Sequence, residues 1–109
     1  MTKEEFAMAE ELGRRLLHRW GLPPEDQKRL LGRDAESTSE EEVLDRVSWL
    51  LSIHKSLRIL YPKNPEIYYS WVSQPNDYFG NRAPLEIIFE RGLEGMKQIA
   101  RYLHAVIAR

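Results

Sequence analysis

At 109 residues the chain is one domain, or one domain with a short appendage, and a chain of this size buries roughly two-thirds of its unfolded surface. With 42% hydrophobic and 30% charged residues and no cysteine, it has the composition of a soluble globular protein, and any disulfide framework, thiolate metal site or thiolate nucleophile is excluded. The formal net charge is −1, no basic stripe stands out, and the apolar runs fall far short of the roughly 20 residues that span a bilayer.

The opening Met-Thr-Lys-Glu-Glu-Phe has no charged-then-apolar leader, so a cytoplasmic protein is expected. Thr2 and Glu5 have the spacing of a capping box, and Phe6, Ala9, Gly13, Leu16, Leu17 and Trp20 recur behind them at helical spacing. This pattern predicts a first helix over about 3–19, stopped at Gly21. Pro23 and Pro24 start a short second helix with Glu25 and Asp26 in the first turn, where the helix dipole favours acids, and Gly32 closes it. Arg33 to Ser39 is a polar loop.

Ser39 with Glu42 reads as a second capping box, opening the longest helix, about 40–61. Val43, Val47, Leu50, Leu51, His54 and Leu57 form one apolar stripe on it, and Trp49, Ile53 and Leu60 a neighbouring one. Two stripes imply packing on two sides, the position of a central strut. Pro62 ends this helix; Asn64 as cap and Pro65 begin a fourth, through Tyr68, Trp71 and Val72. Turn-formers crowd the stretch from Gln74 to Asn81, and Pro84 restarts a short helix. In the last helix Leu93, Met96, Ile99, Ala100, Leu103, Val106 and Ile107 make the inner face, with Glu94, Lys97, Arg101, His104 and Ala108 outside. Nothing alternates with period two, so the expectation is an all-α compact bundle of about six helices.

Charge is uneven along this order. Residues 1–34 carry seven basic and seven acidic side chains, 35–47 five acids against Arg46 alone, and 48–109 eight basic and five acidic. His18, His54 and His104 lie in separate helices without His-x-x-x-His or His-x-x-Glu spacing, so no metal or cofactor is indicated. His54 reads as a hydrogen-bonded packing residue. Ser52 and His54, two apart on a helix, face different directions and make no hydrolase pair. Gly92-Leu93-Glu94-Gly95 reads as a tight turn between helices, not an anion site. No enzyme is expected.

The first three helices could imitate a helix-turn-helix scaffold. A reading helix should then come directly after Gly32, but the residues in that place are Arg-Asp-Ala-Glu-Ser-Thr-Ser-Glu-Glu-Glu. Carboxylates repel phosphates; only Arg33, Ser37, Thr38 and Ser39 favour DNA. Among the aromatics, Tyr68 and Trp71 share a helical face and read as core, while Tyr69 and Tyr78 are expected partly exposed. No basic amphipathic membrane helix is present. The remaining option is the last helix, whose end (Arg101, Tyr102, His104, Ala105, Ala108, Arg109) is small and basic enough to enter an acidic or phosphate-binding cleft of a partner.

The ordered set Trp71, Gln74-Pro75-Asn76, Gly80-Asn81-Arg82-Ala83-Pro84-Leu85-Glu86 and Gly92 resembles the signature of the toxin-binding domain of Xre/MbcA/ParS-type antitoxins. Arg46 to Tyr61 resembles the helix before it, and residues 12–32, with Trp20-Gly21-Leu22 and Leu30-Leu31-Gly32, resemble the opening of the family's Xre-like helix-turn-helix. The resemblance is strongest over about 43–95. It implies a division into a reduced helix-turn-helix region, 1–39, and a toxin-binding domain, 40–109. It also implies an antitoxin, itself no enzyme, that holds a RES-domain, NAD⁺-consuming toxin and obstructs its active site. A homodimer that represses its own operon is implied as well. The chain departs from the pattern in 33–42, which puts the reading helix, and with it operator binding, in doubt. The residues expected to meet the toxin are Lys97, Arg101, His104 and Arg109, with Tyr78 and Arg82 as a second patch. A DNA-binding autorepressor and a stand-alone adaptor with a non-RES partner are the alternatives.

Overall fold

A computed structural model describes residues 1–109 as six α-helices: α1 (Lys3–Arg19), α2 (Pro24–Leu31), α3 (Glu40–Leu60), α4 (Pro65–Ser70), α5 (Pro84–Arg91) and α6 (Leu93–Ile107). Single 3-10 turns at Trp71–Ser73 and Asp77–Phe79 link α4 to α5. The fold is all-α, and its one β pairing is an isolated bridge between Asn76 and Arg82. No helix is long and apolar enough to cross a membrane.

The caps set the boundaries. Thr2 Oγ1 accepts from the Glu5 N–H at 3.1 Å and Glu5 Oε1 accepts from the Thr2 N–H at 3.1 Å, a complete capping box. Pro24 occupies the first turn of α2, and Gly32, at φ +79°, ends it in the left-handed conformation that a side chain would strain. The box expected on α3 is only half made. Ser39 Oγ accepts from the Glu42 N–H at 3.1 Å, but the Glu42 carboxylate turns to Arg46 at 3.2 Å instead of back to the cap. Asn64 likewise caps α4 with its carbonyl, which accepts from Ile67 and Tyr68, and not with its side chain.

α3 is the strut, with α1 and α6 each packed along it and α2 and α4 against its two ends. Its buried line runs Val43, Val47, Leu50, Ile53, Ser56 and Leu57. Leu51 and His54, expected on that line, sit half-buried at its edge. Each fully buried leucine or isoleucine here contributes about 1.5–3 kcal/mol of hydrophobic stabilisation. Gly13 lets α1 approach closely: a Cβ there would lie 3.0 Å from Val47 Cγ2. One apolar cluster reaches from Phe6 to Leu103.

Polar ties reinforce it. Arg33 donates to both oxygens of buried Glu10, at 2.7 and 3.2 Å, and holds that carboxyl below its ordinary pKa mainly through this hydrogen bond. Arg29 donates to the Phe89 carbonyl at 3.1 Å, and Arg46 to the Leu30 carbonyl at 3.1 Å, so α2 is fastened to both α5 and α3. His54 packs against both Tyr68 and Tyr69, with centroids at 5.6 and 5.3 Å. Its buried Nδ1 has no partner, so the hydrogen bond expected of it is absent. Burial first, and the Arg58 charge second, push its pKa below the ordinary histidine value. Trp71, expected in the core, is half-buried and lies in the 3-10 turn beyond α4.

Candidate interaction surface

The turn from Asn76 to Arg82 closes on itself through main-chain and capping bonds. The Asn76 N–H donates to the Arg82 carbonyl at 3.1 Å and the Asn81 N–H to the Asn76 carbonyl at 3.0 Å. Asn76 Oδ1 accepts from the Tyr78 N–H at 2.9 Å. Gly80 and Asn81 are both left-handed, at φ +69° and +64°, which glycine and asparagine tolerate best. The turn delivers two neighbouring rings to opposite destinations. Phe79 is buried in the core, while Tyr78 projects outward and is 67% exposed. Pro84 then starts α5, where Glu86 Oε2 accepts from the Ala83 N–H at 3.0 Å.

Gly92, at φ +61°, turns α5 into α6 within one residue. Gly95 lets the two helices touch: a Cβ there would lie 2.6 Å from the Ile87 carbonyl oxygen and 2.9 Å from Ile88 Cα. The expected tight turn is therefore Gly92 alone, and Gly95 serves a helix crossing. This angle sets the last turn of α5 beside the outer face of α6. Between them and the turn lies an open cleft of about 430 Å³, lined by Tyr78, Arg91, Glu94, Gln98, Arg101, Tyr102, Ala105 and Arg109. Tyr102 is its aromatic floor, with its ring 4.3 Å from Tyr78, 5.0 Å from Phe79 and 6.3 Å from Trp71.

Three arginines against Glu94 make the cleft cationic, and Glu94 is shared with Lys97 at 3.5 Å. The guanidinium of Arg91 hydrogen-bonds Gln98. The Arg101 guanidinium lies over the Trp49 ring at 5.9 Å, a cation–π contact at the edge of the cleft. Chemically the surface suits an acidic group flanked by an apolar or aromatic one, gripped by guanidinium forks above a ring face. No group of three or more His, Asp or Glu side chains could hold a metal ion.

The six residues expected at the contact surface fall into three places. Arg101, Arg109 and Tyr78 come together in the cleft. Lys97 and His104 flank it on the side of α6 nearer α3, where His104 Nε2 and Ser52 Oγ share a hydrogen bond of 3.0 Å. Arg82 does not line the cleft and engages Glu90 at 2.6 Å and Glu86 at 3.9 Å on α5. Arg91 and Gln98 were not singled out from sequence. The spacing of Glu94, Gln98, Arg101, Ala105 and Arg109 along one helical face is the signal that carries Gln98, whereas Arg91 joins only through the Gly92 turn.

No helix lies between Leu31 and Glu40. Arg33, which sequence left available to DNA, is engaged by Glu10 and lies over the Phe6 ring at 5.4 Å.

Residues 56–106 match the antitoxin Xre/MbcA/ParS C-terminal toxin-binding domain family. The matched segment covers every cleft residue except Arg109. Uncharacterized protein y4oB of Sinorhizobium fredii (strain NBRC 101917 / NGR234) is 31% identical over 101 residues, 84% of this chain and 78% of that protein. No solved structure matches the chain significantly.

Proposed function

This chain belongs to the Xre/MbcA/ParS antitoxin family, and on that premise we propose that it neutralises a RES-type, NAD-consuming toxin in the cytoplasm by covering the toxin's active-site entrance with the outer face of α6. The observation that carries this reading is the cationic, aromatic-floored cleft, which lies almost wholly within the family's toxin-binding segment. Arg101, Arg109 and Tyr78 form the centre of the contact, Lys97 and His104 its flank, and Arg82 its margin. Guanidiniums suit carboxylates that border the toxin's entrance, and such opposite charge speeds encounter as well as holding the complex. The same geometry supports reading residues 40–109 as the toxin-binding part and 1–39 as a reduced helix-turn-helix that braces it.

Co-expression with the RES toxin tests the reading. Cells carrying the intact chain should grow. Cells carrying Arg101→Glu with Arg109→Glu should arrest and lose NAD, while the purified variant melts like the parent. Full protection by that variant, or protection against no RES toxin at all, would move the assignment to another surface or to a non-RES partner.

A further inference from the structure

In its second half, α3 presents a face outside its buried line that shares no residue with the cleft. Leu51, Lys55 and Ile59 follow one another at four-residue spacing, with His54 and Arg58 on the adjoining row and Pro62 just beyond the helix end. These six residues line an open depression of about 350 Å³. Lys55, Arg58 and Ile59 are exposed, Ile59 to 54%. His54 joins this face to α4 through Tyr68 and Tyr69.

The cations here are unused within the fold. Arg14, Arg15, Arg33, Arg46, Arg82 and Lys97 each hold a carboxylate, whereas Lys55 and Arg58 hold none. Arg58 lies instead over the Tyr68 ring at 6.0 Å, and Arg19, also without an ion pair, lies over the Tyr69 ring at 5.3 Å. The helix dipole accounts for Arg58, the basic residue of the last turn, but it fades before Lys55 and gives no reason for an exposed isoleucine. A single exposed apolar side chain is ordinary. One that shares a depression with two unpaired cations, Leu51 and Pro62 joins two chemistries.

We propose that this face is a docking site for an acidic peptide segment, one that carries a bulky aliphatic side chain between carboxylates. The aliphatic group packs on Leu51, Ile59 and Pro62, and the carboxylates meet the Lys55 ammonium and the Arg58 guanidinium. Charge selects this occupant. Lys55, Arg58 and Arg19 are too few for the phosphates of a duplex, or for an anionic bilayer, which takes clusters of about four to eight cations. Single-stranded nucleic acid is held by stacking its bases, and no Phe, Tyr or Trp lines the depression. A peptide needs neither. The contact is small, so affinity is modest and falls with salt. The inference is independent of the toxin reading.

Fluorescence anisotropy of the full chain with a labelled short peptide of alternating glutamate and leucine tests the site. The parent should bind this peptide, and more weakly as salt rises. It should bind alternating lysine and leucine, or alternating glutamate and serine, about tenfold less well. Lys55→Glu with Ile59→Ser should weaken binding by about tenfold. The melting curve of that variant should match the parent's, since both positions are exposed. No binding, or binding indifferent to Lys55→Glu with Ile59→Ser, would overturn the site. So would tighter binding of a single-stranded oligonucleotide of equal charge. Binding lost in Arg101→Glu with Arg109→Glu but kept in Lys55→Glu with Ile59→Ser would place the peptide in the cleft, and would overturn it too.

Discussion

Tyr102 on α6 lies 4.3 Å, ring centroid to ring centroid, from Tyr78 on the Asn76–Arg82 turn. The pair joins the stretch richest in family letters to the helix that carries the basic face. A turn that is mainly punctuation in sequence becomes, in space, one wall of the cleft.

The two rings should therefore respond differently to truncation. Tyr78→Ala removes an exposed ring and should leave stability within about 1 kcal/mol of the parent, while weakening toxin binding tenfold or more. Tyr102→Ala removes a half-buried ring that three other rings touch, and should cost about 2 kcal/mol as well as binding. Urea unfolding beside calorimetric titration with toxin separates the two effects; equal losses of stability would contradict the placement.

Gly95→Ala should destabilise the chain by about 1–3 kcal/mol through overpacking, even though alanine gains roughly 1 kcal/mol of intrinsic helix propensity over glycine. The Cβ would meet the Ile87 main chain at 2.6 Å, which can yield only if α5 and α6 separate. A variant as stable as the parent in denaturant would show that this crossing is looser than described.

Stability should fall on the acid side in two stages. His54 has a folded pKa below its ordinary 6.5, so it binds fewer protons folded than unfolded, and its contribution is present above 6.5 and lost as pH falls through the folded value. Glu10, held below 4.5 by Arg33, contributes above 4.5 and loses that contribution further down. Thermal melts stepped downward from neutral pH should show both slopes. His54→Phe should flatten the first, and Glu10→Gln the second; an unchanged first slope in His54→Phe would assign it elsewhere.

Titration with the DNA upstream of the gene should show no tight, salt-sensitive binding. No helix is available after α2 to enter a groove, Arg33 is engaged by Glu10, and three glutamates open α3. Affinity that falls steeply between two salt concentrations would instead reveal phosphate contacts and restore the autorepressor reading.

Much of the fold was legible because its helix ends are written in side chains. Thr2 with Glu5, Pro24 with Gly32, Ser39, Pro65 and Pro84 each mark a boundary that local chemistry enforces. The features that escaped depend on angles between helices. Arg91 enters the cleft because Gly92 redirects the chain, and Arg82, outside the cleft, is engaged by Glu90 on α5. Ser52 finds His104 across a helix interface, at a distance in sequence that no local pattern reports. The 3-10 turn at Trp71 looks like a continued helix in letters, since apolar spacing alone does not distinguish the two.

The fastening of α2 to α5 and α3, by Arg29 on the Phe89 carbonyl and Arg46 on the Leu30 carbonyl, makes the N-terminal hairpin a clasp on the half that matches the toxin-binding family. A protease that cuts between α2 and α3 would strip the apolar lining from one side of the strut and undo the seat of α6 along with it. The fold would then be undone from a loop, with no blow struck at α6 itself.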